Sequence, residues 1–299
     1  MSKEYPPQQL HIPVLLESTL MTLKPQKGEK YLDLTAGYGG HARAFITAIG
    51  DANLATLVDR DDMAIAELQP LVAQGAHLLH TDFAHAAEQL VAAGETFDIV
   101  LVDLGVSSPQ LDRAERGFSF QHDGPLDMRM DRREQLTAER MVNTYKKELL
   151  ADIIARYGEE PPRMSLRIAE AIVRNRPFRT TAELASVIAK TYRSGYHKTH
   201  PATRTFQALR MALNQELQQI ETLLPLLPKL LTPGGRVGVI SFHSLEDRLV
   251  KRFFAEADAA GYEAELRLLT KKPIAGATDD VHNPRSRSAK LRAAVKIKI

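Results

Sequence analysis

Lys30-Tyr-Leu-Asp-Leu-Thr-Ala-Gly-Tyr-Gly-Gly-His-Ala42 runs from a short apolar segment through an acidic residue into a glycine turn. Gly37, Gly39 and Ala42 fit the spacing G-x-G-x-x-G/A, in which glycines permit a tight turn and let backbone amides approach a nucleotide ligand at a helix start. A second apolar run, Leu54 to Val58, ends in Asp59. That places a carboxylate about twenty residues after the glycines, where it reaches the ribose hydroxyls of an adenosine cofactor. Together the two features predict a nucleotide-cofactor loop.

The polar residues ahead of the glycines bear on which nucleotide. Asp33 and Thr35 stand where a strand runs out beneath the ligand. A dinucleotide site keeps this position mostly apolar and spends its helix dipole on a pyrophosphate. S-adenosylmethionine carries no phosphate and presents a cationic sulfonium and an amino group, which a carboxylate suits better. The competing reading is that Asp33 and Thr35 only cap the turn.

The 299 residues suffice for one large domain or two ordinary ones with a sizeable core. A formal charge of +2 sets up no global field toward a polyanion, so any nucleic-acid surface is local. There is no long apolar run, and the start Met-Ser-Lys-Glu-Tyr-Pro-Pro lacks a signal-peptide core, so a cytoplasmic protein with no membrane partner is expected. Cysteine is absent, which removes disulfides, thiolate zinc sites and cysteine nucleophiles.

The class is α/β. Strands are predicted over Lys30 to Leu34, Leu54 to Val58, Ala76 to His80 and Asp98 to Leu104, separated by alanine-rich helical stretches, as in βαβ units of a parallel sheet. From about Leu111 to Arg210 the alternation stops. Helix-compatible segments take over, Lys146 to Tyr157, Ser165 to Arg174 and Thr181 to Tyr192, broken by Pro161-Pro162, Arg176-Pro177 and Ser194-Gly195. The organisation expected is a sheet domain over 1–111, a helical insertion over 112–210, and the rest of the sheet domain over 211–299. A long helix from about Thr203 to Leu231, a Pro233-Gly234-Gly235 turn and a strand from Arg236 to Ser241 resume the pattern. Runs near Glu265 to Thr270 and Leu291 to Ile299 complete the sheet.

Ligands of doubly wound sheets lie beyond the carboxyl ends of the strands. The fourth strand ends Asp103-Leu-Gly-Val-Ser107-Ser108-Pro109-Gln110, which directs Asp103 and the Ser-Ser-Pro turn at the cofactor. Enzymes that methylate an exocyclic amine often carry a polar-Pro-Pro-aromatic turn here. Ser108-Pro109-Gln110 matches it without the second proline and the aromatic, so Phe118 and Phe120 become candidates for stacking on a base, or else ordinary core.

These blocks resemble the bacterial small-subunit ribosomal RNA cytosine-N4 methyltransferase family. The likeness rests on His11-Ile-Pro-Val-Leu, the loop from Asp33 to His41, Asp59-Arg-Asp61 and Leu101-Val-Asp-Leu-Gly-Val-Ser-Ser-Pro-Gln-Leu-Asp112. It continues through Glu115 to Phe120, Asp123 to Asp131, His200 to Arg210, Ile240 to Arg248 and Asn283 to Arg292, nearly the whole chain in order. The segment from Gly158 to Ile168 departs from the family, because Pro161-Pro162 stands ahead of a helix that usually lacks prolines there. That leaves the path of the insertion open.

The resemblance implies a class I methyltransferase sheet, Rossmann-like and doubly wound, with an inserted substrate-recognition domain. It implies methyl transfer from S-adenosylmethionine to N4 of a cytidine in 16S ribosomal RNA near the decoding centre, with the small subunit as partner and no DNA. Family cofactor contacts carry over to Gly39, Gly40, His41, Asp59, Phe83, Asp103 and Gln110. Asp103, Ser107 and Ser108 are the candidates for accepting the amine's proton or sharing its charge. The lack of cysteine favours this chemistry over attack at the pyrimidine C5 carbon, where a thiolate usually adds first.

RNA contacts are expected from Arg129, Arg132 and Arg133 and from a basic carboxyl end holding Lys271, Lys272, Arg285, Arg287, Lys290 and Arg292, unless these form an ordinary solvated face. His243 either faces substrate or precedes a helix capped by Ser244 and Asp247 in an S-x-x-D pattern. His243, Glu246 and Asp247 make no closed metal-ligand set, and no metal is expected. Two rivals share the glycine loop: a nicotinamide-dependent oxidoreductase, and a non-catalytic RNA-binding factor on a methyltransferase-like scaffold.

Overall fold

The computed structural model describes residues 13–192 and 199–298, so His11 and the Ser194-Gly195 break lie outside the described residues. The chain divides into two compact units, Met1–Gly105 with Gln218–Ile299, and Val106–Leu217.

The first unit opens with α1 (Leu16–Leu23), then alternates β1 (Tyr31–Asp33), α2 (Gly40–Ile49), β2 (Ala55–Asp59), α3 (Asp62–Val72), β3 (His77–His80), α4 (Phe83–Ala92) and β4 (Phe97–Asp103). Side chains alternate across each strand. Tyr31, Leu57, Ile99 and Leu101 therefore share one face, buried against Phe45 and Ile49 of α2 and Leu68 of α3. The alternate residues Leu32, Val58, Val100 and Val102 are equally buried on the opposite face, the side of α4. Continuous apolar runs are what a parallel sheet covered on both faces requires.

The second unit is helical, with α5 (Ser108–Asp112), α6 (Ala138–Thr144), α7 (Lys147–Gly158), α8 (Pro162–Arg174), α9 (Thr181–Ala189) and α10 (Thr203–Leu213). The break expected at Pro161-Pro162 separates α7 from α8, and Pro162 is itself the first residue of α8, because proline at the first helical position loses no intrahelical bond. The α8 helix buries Ile168, Ala169 and Ile172 and turns Arg163, Arg167, Glu170 and Arg174 outward.

The single long helix expected from Thr203 to Leu231 is interrupted. Gln215 adopts φ +52°, and the side-chain amide of Asn214 donates to Met128 O and accepts from Met130 N, at 2.9 and 2.8 Å. The chain continues as α11 (Glu216–Leu223) and, past Pro225, the short α12 (Leu227–Leu230). Back in the first unit follow β5 (Leu231–Ser241), α13 (Ser244–Ala259), β6 (Leu266–Leu268), β7 (Ile274–Ala275) and β8 (Lys290–Lys296). Pro233-Gly234-Gly235 lies inside β5, where pairing to β4 jumps from Phe97–Leu231 to Ile99–Arg236, so the expected turn is a bulge.

The sheet order is β3-β2-β1-β4-β5-β8-β6, with β7 beside β8. The first five strands are parallel, and β8 runs antiparallel to both β5 and β6. A wholly parallel dinucleotide-binding sheet follows the order 3-2-1-4-5-6. Insertion of a reversed strand beside the fifth makes the class I methyltransferase variant of that sheet. Among the described residues, no helix is long and apolar enough to cross a membrane.

Candidate active site

Three carboxylates stand at the carboxyl ends of β1, β2 and β4. Asp33 is buried, accepting from Tyr31 Oη at 2.7 Å and from the Thr35 amide at 3.2 Å. Burial pushes its pKa up to about 7, against the lowering effect of those two bonds and with help from the Asp59 charge. Tyr31 and Asp33 lie on one face of β1, two residues apart, a pairing available to sequence reasoning and missed by it. Tyr31 is itself stacked on Phe45, ring centroids 4.6 Å apart. Thr35 ties the ends of two strands together, its hydroxyl accepting from the Asp103 amide at 2.6 Å.

Asp59 accepts from Gly37 N at 2.8 Å through one oxygen and from Asp61 N at 2.8 Å through the other. It thus fixes the glycine loop, and each oxygen keeps a further lone pair for a ligand. Burial nevertheless holds its carboxyl above the ordinary range, outweighing the two amide bonds. Gly37 and Gly39 adopt φ +52° and +79°, and a Cβ at Gly40 would stand 2.4 Å from Pro13 Cγ. The backbone path of this loop therefore depends on its glycines.

Asp103 is the least compensated of the three. Its Oδ1 is buried and accepts no hydrogen bond from any described residue, while Oδ2 lies 3.7 Å from Nε2 of the buried His41. Burial raises its carboxyl well above the normal range, and the nearby Asp33 and Glu246 charges add to the effect. Phe83, the first residue of α4, is half-buried.

The residues from 8 to 297 match the MraW methylase family. The chain belongs to this family. The ribosomal RNA small subunit methyltransferase H of Nitratidesulfovibrio vulgaris is 48% identical over 96% of this chain and 95% of its own length. The enzymes of the same name from Synechocystis and Acidobacterium capsulatum are each 48% identical over 96% of the chain, covering 93% and 98% of their own lengths.

Beyond β5 the methylase departs from the expected cap. His243, not Ser244, is the N-cap of α13: its Nδ1 accepts from Glu246 N at 3.4 Å, and Glu246 Oε2 accepts from the Phe242 and His243 amides at 2.8 and 3.3 Å. Glu246 is fully buried and its Oε1 lies 3.1 Å from His243 Nε2. A Cβ on Gly105 would meet Phe242 at 3.6 Å and Glu246 Oε1 at 4.0 Å, so this carboxylate borders the end of the β4 segment. Sequence reasoning missed that placement, although H-x-x-E fits a capping box as well as S-x-x-D does. Asp247 turns away to Lys290 and Arg292, at 3.0 and 2.7 Å.

In the helical unit, Ser107 and Gln110 form a capping box on α5: Ser107 Oγ accepts from Gln110 N at 3.4 Å, and Gln110 Oε1 from Ser107 N at 3.0 Å. Ser108 is buried at the first helical position. Phe118 is buried beneath the Arg116 guanidinium, whereas Phe120 is half-exposed, packed on His200 and edge-on to Phe206 at 4.6 and 4.8 Å. The basic residues expected to meet RNA divide similarly. Arg129 is clamped on Asp127 and Arg133 on Asp131, and Arg292 is buried against Asp247. The arginines of α8, Arg163, Arg167 and Arg174, were not singled out from sequence, though their i, i+4, i+11 spacing was there to find.

Proposed function

We propose that this methylase transfers the methyl group of S-adenosylmethionine to the exocyclic N4 amine of a cytidine in 16S ribosomal RNA, near the decoding centre of the small subunit. The observation that carries the reading is the family match over residues 8–297 combined with strand-end carboxylates, of which Asp103 has a buried Oδ1 that accepts no hydrogen bond from any described residue. Family membership argues against the nicotinamide-dependent oxidoreductase, and retention of the whole carboxylate set argues against a non-catalytic scaffold.

The residues fit the donor. Asp33 and Asp103 offer negative charge to a cation, Gly39, Gly40 and His41 line the loop side, and the spare lone pairs of Asp59 suit ribose hydroxyls. Phe83 supplies an apolar wall for adenine, and Gln110 a polar contact. When bound, S-adenosylmethionine would supply a methyl activated by its cationic sulfonium, with a neutral thioether as the group that leaves when the amine nitrogen bonds the methyl in line. The cytosine amine is a weak nucleophile because its lone pair is delocalised, so orientation contributes most of the rate. Asp103, whose buried Oδ1 accepts no hydrogen bond from any described residue, is placed to take the proton shed by the methylated amine. Ser107 and Ser108 position the amine from the turn, and the helical unit holds the RNA.

The test is transfer of labelled methyl from S-adenosylmethionine to small subunits isolated from cells lacking this enzyme, followed by nucleoside analysis. Label in N4-methylcytidine is expected. Label in another nucleoside would overturn the amine assignment while leaving the donor in place.

A further inference from the structure

The α8 and α9 helices of the second unit enclose an open groove of about 370 Å³. Its cationic lining is Arg167 and Arg174 from α8 and Lys190 from the end of α9, with the polar side chains of Asn175 and Thr191 between them. Glu170 is the one acidic residue lining it and is already bonded to Arg174 at 2.7 Å. Neither Arg167 nor Lys190 is in an ion pair with another described residue. Three cations against one anion leave the groove at +2, the formal charge of the entire chain.

Several other arginines of this unit are used internally. Arg129 and Arg210 are held by carboxylates, and Arg116 and Arg176 donate to backbone carbonyls. On α8, Arg167 and Arg174 line an open concavity instead of bracing a fold. Arg167 and Arg174 are two turns apart, about 10 Å along the axis, and a guanidinium fork matches a phosphate bidentately.

We propose that the α8–α9 groove binds backbone phosphates of the RNA substrate, at a site separate from the methyl-transfer centre. The assignment rests on the RNA-methylase reading above and adds to it where the helical unit grips the strand. Phosphate contacts position an RNA and carry no sequence information, so the groove contributes affinity and orientation, not the choice of base.

The experiment compares Arg167→Gln/Lys190→Gln with the wild type and with Arg140→Gln/Lys146→Gln, which removes two exposed charges elsewhere in the unit. Equilibrium binding to small-subunit ribosomal RNA is followed across a salt series, with S-adenosylhomocysteine affinity and thermal melting as controls. The groove variant is expected to bind RNA roughly tenfold more weakly at moderate salt, with a log–log salt slope shallower by about 1.4, the value for two lost phosphate contacts on a single strand. Cofactor affinity and melting temperature stay at wild-type values. A groove variant indistinguishable from the control pair overturns the proposal while leaving the methylase reading intact. Wild-type protein that binds S-adenosylhomocysteine but neither binds nor methylates the RNA overturns the reading itself. Unchanged affinity for naked RNA with weakened binding to assembled subunits would place an acidic protein in the groove and overturn the phosphate assignment.

Discussion

Asp247 and Asp103 are both largely buried in the sheet-bearing unit, yet the fold treats them in opposite ways. Asp247 lies against Lys290 and Arg292; burial pushes its carboxyl up, but the two cations outweigh that and hold it below the ordinary range. Asp103 has the His41 imidazole at 3.7 Å and, among the described residues, no lysine or arginine in an ion pair, and it is held well above that range. The same contrast separates Asp33, at about 7, from Glu29, whose pairing with Arg236 keeps it low despite burial. A chain that pairs its buried charges elsewhere leaves these uncompensated at the strand ends, where the cost of an unpaired carboxylate is offset when a cationic ligand arrives. Asp247 braces the fold; on the proposed function, Asp33 and Asp103 meet the positive charge of the donor.

Four substitutions would sharpen or break that contrast. The largest effect is expected from Asp103→Asn, which removes the proton acceptor and one negative charge: methyl transfer at saturating RNA should fall by about 10²- to 10³-fold. The folded apo-protein should melt no lower than wild type at pH 7. A marked fall in melting temperature with turnover intact would make Asp103 a brace like Asp247.

Next comes Asp247→Asn, expected to cost about 3 kcal/mol in denaturant unfolding because Arg292 is left buried without its counter-charge. Donor affinity of the folded fraction should not change. The pH dependence has a definite sign. Asp247 is lowered in the folded state, so its contribution is present above the unfolded carboxylate pKa and is lost as pH falls through the folded one. Asp33 is raised from 3.8 to about 7, so the folded apo-protein binds more protons in that window and its contribution to stability declines as pH rises through it. Asp33→Asn should flatten that decline in a pH series of apo-protein melts.

The smallest effect is expected at Arg133, paired with Asp131 on a half-exposed side chain. Arg133→Ala should change unfolding free energy by no more than about 0.5 kcal/mol, as surface pairs do. A loss above about 2 kcal/mol would show that exposed pairs in the helical unit act as braces too.

Much of this arrangement is legible in the chain. Each of the first four strands lies within a residue of its expected bounds, because uninterrupted apolar runs bounded by turn residues have few alternatives in a covered parallel sheet. Asp33, Asp59 and Asp103 are readable as strand-end carboxylates for the same reason. What escapes is set by partners remote in sequence. The break at Asn214 depends on Met128 and Met130, while the apolar pattern runs straight through it. The cap on α13 begins at His243 because Arg292, on a distant strand, takes the Asp247 side chain that a cap at Ser244 would use. Pro161-Pro162 is informative in the other direction: α7 has already ended at Gly158, and the dipeptide supplies the N-cap and first residue of α8.

The most direct test of the contrast is calorimetric titration of the wild-type protein with S-adenosylmethionine at pH 6.5, in two buffers of different ionisation enthalpy, repeated with S-adenosylhomocysteine. Carboxylates that await a cation must lose protons when it binds, so S-adenosylmethionine should release more protons than S-adenosylhomocysteine, and Asp33→Asn should reduce the difference. Equal proton release by the two ligands, or none by either, would contradict the assignment of Asp33 and Asp103 to the donor's positive charge.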